Sequence, residues 1–507
     1  MLQFTSILDS VRLVLAPVRD IILQIVPVDW VGSLPALTLV SFSLLVLLVG
    51  MKKNPLPLSF IGVITSGIWV LIFDSATYGF SFGGLFVRNT FSDFFIVMIL
   101  VVAVFVLMSS TLFGGDKGPY NFLLLMSFAG AIWVVMATDI VALFIAWELM
   151  STPTYILVAL GPHRGAVDGA TKYFVMGLLS TTFLIFGIAI IIGVTGVTSL
   201  SAIGTTITII WAESSVSPAA AYAIILALIT FIIAFGFKIG VFPGWMWVPD
   251  TYSTADGSIT AYLAGATKKA GIAALIQILM VGMFTARLEW MPLLVIVSIL
   301  TMIIGNLLAL SEQNIMKMLA YSSIAMMGYL FIGIAAGTEF GASAALFHAF
   351  IHAIMKTGIF ILIWSITIRL GKQVTYDDLK GLSRKSPIAA ASLAILVLSL
   401  AGMPLTAGFW SKLILFQSAV EVGFWWLALI GLLNSVFSLG YYLRILKVTY
   451  MDEGIFSEEL DEPVERMQLP RIPLFAVIIS TLAIIILFIF PGVLLDYAFE
   501  ASQILMN

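Results

Sequence analysis

Long apolar runs follow one another along almost the whole chain, separated by short polar turns that often contain Gly or Pro. A helix that crosses a bilayer needs about 20 predominantly apolar residues, and most of the runs approach that length. The pattern therefore predicts an all-α integral membrane protein with about fourteen transmembrane helices. The expected spans are 33–51, 57–74, 91–112, 119–137, 139–160, 167–195, 220–244, 258–283, 290–310, 314–337, 341–369, 387–421, 424–450 and 471–495.

Two of the predicted spans carry helix-breaking residues. The seventh contains Pro243 shortly after Lys238, in the segment FGFKIGVFPGWMW. The twelfth contains Pro404 shortly before Lys412, in the segment SLAGMPLTAGFWSK. Broken helices at matching places in two halves are typical of an ion path and an internal repeat. The breaks lie five helices apart, which fits a duplicated five-helix unit, and an odd number of helices in each unit would make the two units inverted in the membrane.

The stretch before the first span has charged residues at nearly helical spacing, and Pro17 and Pro27 interrupt it. It predicts a short interfacial helix, with a poorly aligned first span as the alternative. The chain starts without the basic residues of a cleaved signal peptide. Outside the repeated part, the expected regions are 1–32 (N-terminal interfacial segment), 33–118 (first three spans) and 451–507 (cytoplasmic loop and last span).

Composition agrees with a membrane protein and restricts its chemistry. Of the 507 residues, 61% are hydrophobic and only 10% are charged, whereas soluble domains carry about 25% charged residues. Cysteine is absent, which excludes disulfides and cysteine-ligated iron–sulfur clusters. Three histidines are too few for a haem-rich electron carrier, and a net charge of −3 without a basic run gives no sign of nucleic acid binding. We expect any redox chemistry to take place in other proteins.

The distribution of cations predicts the orientation. Fourteen Lys and Arg residues fall in loops that follow odd-numbered spans, and four fall on the opposite side. Basic loops face the cytoplasm in most membrane proteins. We therefore expect both termini on the outer side of the plasma membrane of a bacterium or archaeon. The acidic segment 452–471 then reads as a solvated cytoplasmic loop.

The remaining cations lie inside apolar spans, together with the carboxylate Glu148. A charge near the bilayer centre costs about 2.5–3.5 kcal/mol even on lenient insertion scales, so such residues are usually kept for function. The pattern indicates that protons move through the middle of the protein. The lysines of this set are Lys172, Lys238, Lys268, Lys269, Lys356 and Lys412.

Glu148 and Lys238 form the central acid–base pair of this prediction. Glu148 follows Asp139 by nine residues, about 13 Å along a helix and near the middle of the membrane. Lys238 is equally deep and is its natural counter-ion. A unit charge that moves at about 4 Å changes the energy by about 4 kcal/mol at an effective dielectric near 20, which is enough to load or discharge a buried lysine. A static ion pair that fixes helix packing is the alternative.

His348, His352 and Lys356 are spaced i, i+4 and i+8, so they lie on one face of the eleventh span. Such a stripe, bridged by water, predicts a proton relay, with plain polar packing as the alternative. A zinc site is not expected, because the segment HAFIH lacks the acid of an HExxH motif.

The other buried lysines extend the line. Lys268 and Lys412 continue it in the eighth and twelfth spans. Lys269 is interpreted as a snorkelling or cavity-facing neighbour without its own role. Lys172 begins the sixth span, and it either belongs to the proton path or reaches the cytoplasmic interface.

From about residue 145 to 450 the chain resembles the antiporter-like membrane subunits of respiratory complex I and its relatives. It is most similar to subunit N of NADH:quinone oxidoreductase and of the archaeal deazaflavin-dependent (F-420-type) version. The resemblance is carried by AWELMSTPTY, GATKYFVMG, FGFKIGVFPGWMWVPDTY, ATKKAGIAAL, GNLLALSEQNIMKMLAYSSIAMMGYL, LSLAGMPLTAGFWSKLILF and LNSVFSLGYYLRILKVTY. By this resemblance the glutamate and lysines of helices five, six, seven, eight and twelve in the family correspond to Glu148, Lys172, Lys238, Lys268 and Lys412. The resemblance also implies two inverted five-helix repeats at spans 4–8 and 9–13, a first antiporter-like half at 119–283 and a second at 290–450.

Two features bear on which antiporter-like subunit the chain resembles. The HxxxHxxxK stripe looks more like subunits M and L, whereas lysine at position 412 is unlike the usual subunit M. Subunit N remains our choice, with membrane-bound hydrogenases and multisubunit Na⁺/H⁺ antiporters as alternatives within the relatives. A stand-alone cation or solute carrier and a structural subunit that retains ancestral charges are alternatives of other classes.

The resemblance implies a proton-translocating subunit that is part of an oxidoreductase but performs no redox chemistry itself. NADH or reduced deazaflavin, FMN or FAD, iron–sulfur clusters and a quinone-like carrier are expected in partner subunits. The expected partners are a neighbouring antiporter-like subunit M, small membrane subunits, a peripheral electron-transfer arm and lipid. Glu148 would modulate Lys238, whose proton would pass through Lys268 and the histidines to Lys412; uptake through the second half is equally allowed.

Overall fold

The computed structural model describes residues 12, 14–212, 218–452 and 466–505, and in this part of the chain almost all regular structure is helical. One short hairpin pairs β1 with β2 in antiparallel register. The elements are α1 (Ala16–Ile25), α2 (Val28–Val31), α3 (Leu34–Gly50), α4 (Leu56–Ile72), α5 (Ser75–Tyr78), β1 (Phe80–Ser81), β2 (Phe86–Val87), α6 (Thr90–Ser109), α7 (Lys117–Met136), α8 (Ile140–Ala159), α9 (Ala166–Thr195), α10 (Leu200–Ala212), α11 (Pro218–Ile239), α12 (Trp247–Thr254), α13 (Gly257–Gly282), α14 (Arg287–Ser311), α15 (Ile315–Ala335), α16 (Glu339–Leu370), α17 (Leu382–Lys385), α18 (Pro387–Ala401), α19 (Ala407–Glu421), α20 (Trp425–Tyr450), α21 (Arg471–Ile489) and α22 (Pro491–Gln503).

The predicted helical membrane fold is confirmed. Within the described ranges, eleven helices are long and apolar enough to cross a membrane. A bent pair, Asp377–Lys385 with Pro387–Ala401, would add a twelfth. The first two predicted spans correspond to α3 and α4, apolar helices of 17 residues each. The total of fourteen spans and the division into inverted repeats remain predictions.

Both predicted helix breaks are present. α11 ends at Ile239, and Gly240 has a φ of 76°, a left-handed conformation that an L side chain rarely adopts. The chain then runs without helix to α12. The second break follows α18, where Gly402 has a φ of 82°, and α19 begins at Ala407. Each break therefore rests on a glycine that ends the preceding helix.

Some elements differ from the predictions. α10 and α22, of 13 residues each, were not predicted as separate helices. α10 is a short apolar helix beside long predicted spans, and α22 begins inside the last predicted span and continues beyond it. α13 is interrupted by two π-turns, Leu263–Thr267 and Ile278–Gly282, which the apolar pattern does not reveal. α1 and α2 fall in the expected interfacial segment, while residues 1–11 and 13 lie outside the described residues, as does 453–465 of the predicted cytoplasmic loop.

The centre of the molecule is formed by α13, α15 and α16, which are buried along almost their whole length. α16 packs against α15, α19, α21, α22 and α6, and α13 packs against its opposite side. The helices that carry most of the predicted site lysines and histidines are therefore the most enclosed ones. Long helices on the periphery instead expose leucine, isoleucine and phenylalanine, as expected for lipid-facing surface.

Candidate functional site

Lys238 lies at the end of α11 in a cage of aromatic rings. Its ammonium is 5.9 Å from the centroid of Trp147 and 5.2 Å from that of Tyr155, both on α8. The ring of Tyr173 on α9 is 5.1 Å away, and its hydroxyl accepts a hydrogen bond of 3.1 Å from Lys238 Nζ. The Tyr173 hydroxyl is also 3.0 Å from Thr154 Oγ1. Three π faces and one hydroxyl thus surround this buried cation.

Glu148 is placed close to the cage but outside it. Its Oε1 accepts a hydrogen bond of 2.7 Å from Thr181 Oγ1 on α9, and the side chain is half-buried. The expected direct counter-ion contact is not made: no ion pair joins Glu148 to Lys238 among the described residues. The carboxylate is nonetheless within electrostatic range of Lys238. Because Glu148 follows Trp147 directly on α8, a movement of this helix would shift both the carboxylate and one ring of the cage.

Lys268 lies in the middle of α13 and is completely buried. Its Nζ has no hydrogen-bond partner among the described residues, and it faces the rings of Trp247 at 6.0 Å and Tyr252 at 5.2 Å. A Cβ added to Gly240 at the first break would come within 3.3 Å of this Nζ. The break and the half-helix α12 therefore supply part of the immediate environment of Lys268.

Trp247 on α12 connects the two lysine sites. Its ring stacks on Tyr173 with centroids 4.4 Å apart, and its Nε1 donates a hydrogen bond of 2.7 Å to the carbonyl of Phe237. In this stack, the ring of Tyr173 therefore faces Lys238 and the ring of Trp247 faces Lys268. A small shift of α12 acts on both sites at once.

Lys269 does not snorkel. Its side chain is fully buried, and Nζ donates a hydrogen bond to the carbonyl of Ala264 in the first π-turn of α13. Of the two alternatives for this neighbour, snorkelling is wrong, because Lys269 and the helix around it are buried inside the molecule, and the absence of a role of its own stays a prediction. Lys269 instead adds a third cation within electrostatic range of Lys268 and Lys356.

The histidine stripe is present on α16, but its members are not joined by direct hydrogen bonds. The rings of His348 and His352 lie nearly parallel with centroids 5.8 Å apart. His348 Nδ1 is 3.2 Å from Ser411 Oγ, whereas both nitrogens of His352 have no partner among the described residues. Buried polar atoms of this kind are usually satisfied by water. His352 is within electrostatic range of Lys268, Lys269, Lys356 and His348.

Lys412 is held at the second break. Its Nζ donates hydrogen bonds to the carbonyl of Ala401, at 3.0 Å, and to Ser435 Oγ, at 2.8 Å. Ala401 is the last residue of α18, where free carbonyls and the helix dipole favour a cation. The ring of Tyr329 lies 4.8 Å from the ammonium, and the side chain passes closely over Gly402.

Lys172 is not part of this interior line. Its side chain is largely exposed and forms an ion pair of 2.5 Å with Asp250 on α12, which also pairs with Lys317 on α15 at 3.5 Å. Partial burial opposes ionisation of Asp250, but Lys172, by hydrogen bond and charge, and then Lys317 outweigh it and hold the pKa of this carboxyl below its usual value. The contacts agree with the interfacial interpretation of Lys172 and tie α12 to both halves.

Residues that the sequence reasoning did not select complete the site. They include the cage aromatics and a set of hydroxyl and amide groups around Lys356 and Lys412. Tyrosine and tryptophan are common throughout the chain, so their number alone gave no signal. Their position next to the lysine-bearing segments GATKYFVMG and FGFKIGVFPGWMWVPDTY was the available clue.

This arrangement can be compared with known proteins. Residues 137–438 match the family described as NADH:quinone oxidoreductase/Mrp antiporter, TM. A relative from Trichlorobacter lovleyi, described as NADH-quinone oxidoreductase subunit N, is 34% identical over 88% of this chain and 90% of its own length. A second such subunit N, from Beijerinckia indica, is 32% identical over 94% of this chain and 98% of its own length.

Solved structures share the fold. A subunit of the membrane-bound sulfane sulfur reductase, an archaeal respiratory membrane complex, superposes with a TM-score of 0.82 at 25% identity, covering 94% of this chain and 98% of that chain. A chain of respiratory complex I from Thermus thermophilus gives a TM-score of 0.75 at 24% identity, covering 91% and 99%. The match over more than half of the chain and the full-length relatives show that this protein belongs to the antiporter-like membrane subunit family, with the subunit N proteins of NADH-quinone oxidoreductase.

Proposed function

We propose that this chain is the subunit N of a complex I-like respiratory oxidoreductase and moves protons across the membrane while partner subunits transfer electrons. The single observation that carries the proposal is the series of buried lysine side chains on α11, α13, α16 and α19. A packed structural core would not retain them, because each charge in a membrane interior costs several kcal/mol. A relative that matches most of this chain is named NADH-quinone oxidoreductase subunit N, and this name places the relative in a quinone-reducing complex.

The proposed path begins with Glu148 and Lys238. A change in the position or charge of Glu148 alters the energy of a proton on Lys238, since the two groups interact without being locked in an ion pair. The proton then passes to Lys268 beyond the Trp247 stack. From there it reaches the histidine stripe and finally Lys412, which discharges it to the other side.

The partners follow from the same proposal. The neighbouring subunits are expected to be another antiporter-like subunit, small membrane subunits and a peripheral arm that carries the flavin, the iron–sulfur clusters and the site for the quinone-like acceptor. The basic loops would face the cytoplasm and both termini the outer side. The absence of cysteine from the chain fits a role without iron–sulfur ligation.

Two substitutions in the assembled complex test the proposal. Glu148→Gln and Lys238→Ala should each lower proton pumping and the coupled oxidoreductase rate together by about tenfold or more, because a missing proton carrier blocks the coupled cycle. Lys53→Ala, in an exposed loop, is the matched control and should leave both rates unchanged. Pumping is measured as acidification of sealed membrane vesicles during electron transfer. Normal pumping by either site variant, in a complex that retains all subunits, would refute the assignment.

A further inference from the structure

Lys356 has a partner that the proposed path does not use. Its Nζ donates hydrogen bonds to the carbonyl of Leu319, at 2.9 Å, and to Ser322 Oγ, at 2.8 Å, both on α15. Ser322 Oγ in turn lies 2.5 Å from the hydroxyl of Tyr442 on α20. All of these side chains are completely buried. A direct hydrogen-bonded chain therefore runs from Lys356 away from the histidines.

This chain points towards the end of the molecule that carries the basic loops. Ser322 lies seven residues after the start of α15 at Ile315, and Tyr442 lies eight residues before the end of α20 at Tyr450. Both are therefore about 11–12 Å from that end of their helices. Lys356, halfway along α16, is deeper than either. The order from the end inwards is Tyr442 and Ser322, then Lys356.

Two further buried hydroxyls continue in the same direction. Thr449 follows Tyr442 by seven residues, so it lies on the same face of α20 two turns nearer the end. Tyr376 is in the loop after α16 and lies under the guanidinium of Arg444, 4.0 Å from its ring centroid. Neither hydroxyl has a hydrogen-bond partner among the described residues, although Thr449 is wholly and Tyr376 almost wholly buried. Unpaired buried hydroxyls are typical positions for ordered water.

The other neighbours of Tyr442 fix its position. Its ring packs against Tyr441 with centroids 4.3 Å apart, and the Tyr441 hydroxyl donates a hydrogen bond of 2.9 Å to Asn306 Oδ1. Asn306 Nδ2 is 3.2 Å from the carbonyl of Asn434 on the same helix as the tyrosines. An amide accepts and donates hydrogen bonds but does not readily pass a proton on. Asn306 and Tyr441 are therefore positioning residues.

We propose that Tyr442 and Ser322 form the proton-uptake route of the second half, leading from the basic-loop end to Lys356. A proton from water is taken up by the Tyr442 hydroxyl as that hydroxyl gives its own proton to Ser322. Ser322 gives its proton to the neutral amine of Lys356, so each oxygen gains one proton and loses one. Lys356 can then load the histidine stripe, His352 being within electrostatic range. This inference rests on the proposed proton translocation and adds a second entry, which joins the path from Lys238 at the histidine stripe.

Two hydroxyl deletions with matched controls test the route in the assembled complex. Ser322→Ala and Tyr442→Phe should each lower coupled proton pumping by about threefold or more at pH 7, since a positioned proton donor typically contributes 10²–10⁴-fold and water can replace part of it. Ser323→Ala, the next residue and also buried, and Tyr262→Phe, whose hydroxyl contacts Ser127, are the controls. Both should pump within twofold of wild type.

The pH profile separates uptake from mere packing. An uptake defect should grow as protons become scarce, so the loss in Tyr442→Phe should rise between pH 6 and pH 8, whereas loose packing lowers the rate equally at both. The titratable and charged groups that face this region are Lys356, Lys268 within electrostatic range of Lys356, Tyr329 and Tyr441. At the mouth they are Tyr376, Arg444 and Glu312. All of them are unchanged in the two variants.

The outcomes distinguish this inference from the proposed function. If Lys238→Ala fails to pump while Ser322→Ala and Tyr442→Phe pump normally, the uptake route is wrong and the proposed function stands. A loss that is equal at pH 6 and pH 8 also overturns the route. If Lys238→Ala pumps normally as well, the proposed function itself fails.

Discussion

Three of the buried lysines of this protein are each stabilised by a different set of neighbours. Lys238 has three aromatic rings and one hydroxyl, Lys268 has two rings without a hydrogen-bond partner among the described residues, and Lys412 has a helix-terminal carbonyl and a serine. A cation over a desolvated ring gains about 2 kcal/mol, less than the cost of burying it. None of the three has a carboxylate in direct contact, so none is fixed in its charged form by an ion pair.

The hydroxyl of Tyr173 is the single hydrogen-bond acceptor described for Lys238, and its removal gives a test at this scale. Tyr173→Phe keeps the ring and the Trp247 stack but takes away the acceptor, so we expect proton pumping to fall about three- to tenfold. Tyr155→Phe is the matched control, because Tyr155 contributes its ring to the same cage. Pumping in vesicles should stay within twofold of wild type in the control. Equal pumping by both variants would contradict a role of this hydrogen bond.

At the residue scale, the sequence predicted the charged members of the site and not their neighbours. Lysine and histidine are conspicuous in apolar spans because each is costly there, which is why Lys268 and His352 could be selected. The ring of Trp247 and the hydroxyl of Tyr442 could not, since their role depends on which helices pack together. The direct Glu148–Lys238 contact was expected from equal depth alone, and depth does not determine which way two side chains point.

At the scale of single elements, the half-helix α12 links the surface to the interior. Its inner side presents Trp247 and Tyr252 to Lys268. Its Asp250 is held by Lys172 from the first half of the chain and Lys317 from the second. The glycine break separates α12 from the end of α11, and α12 is held by these ion pairs together with the hydrogen bond from Trp247 to the carbonyl of Phe237 on α11. A force on either half can therefore reach the buried lysines through α12.

Asp250→Asn tests this link. Loss of both ion pairs should loosen α12 and lower the coupled oxidoreductase rate about threefold, a modest effect because the group is partly exposed and screened. Asp377→Asn is the control, since its ion pair with Lys380 is highly exposed.

The deficit of Asp250→Asn should not depend on pH near neutrality. The pKa of Asp250 in the folded protein lies below its ordinary value of 3.8. The stabilising contact is therefore fully present above that value and is lost only as the pH falls through the lowered pKa. The deficit of Asp250→Asn should be the same at pH 6 and pH 8 when the coupled rate is measured. A deficit that disappears within this window would show that Asp250 titrates there and would contradict the pairing.

The elements themselves were largely predictable, because length and hydropathy determine where a membrane helix can be. The breaks at Pro243 and Pro404 were also predictable, because proline and glycine interrupt helices by their own geometry. The π-turns of α13 were not, because the apolar pattern carries no signal for them. α10 was missed because its 13 residues are too few to be predicted as a transmembrane span, although they are more apolar than an ordinary loop.

At the scale of the whole molecule, polar chemistry is concentrated on the helices with the least contact to lipid. α13 and α16 carry Lys268, Lys269, the two histidines and Lys356, and both are surrounded by other helices. Charges in this position interact with one another through a medium of low dielectric, so a proton arriving at one site is felt at the next. The chain as a whole can thus transmit a change near Glu148 to Lys412 without a large movement of any helix.

The central claim is that Lys238 changes its protonation during turnover and is not a permanent charge that holds helices together. Lys238→Arg in the assembled complex tests this most directly, because arginine keeps a positive charge and does not release its proton. The measurement is the number of protons pumped per electron pair in sealed vesicles, compared with Lys238→Ala and wild type, with subunit content checked in each complex. Arginine should fail as completely as alanine. Restoration of wild-type pumping by arginine would show that a fixed charge suffices and would contradict the claim.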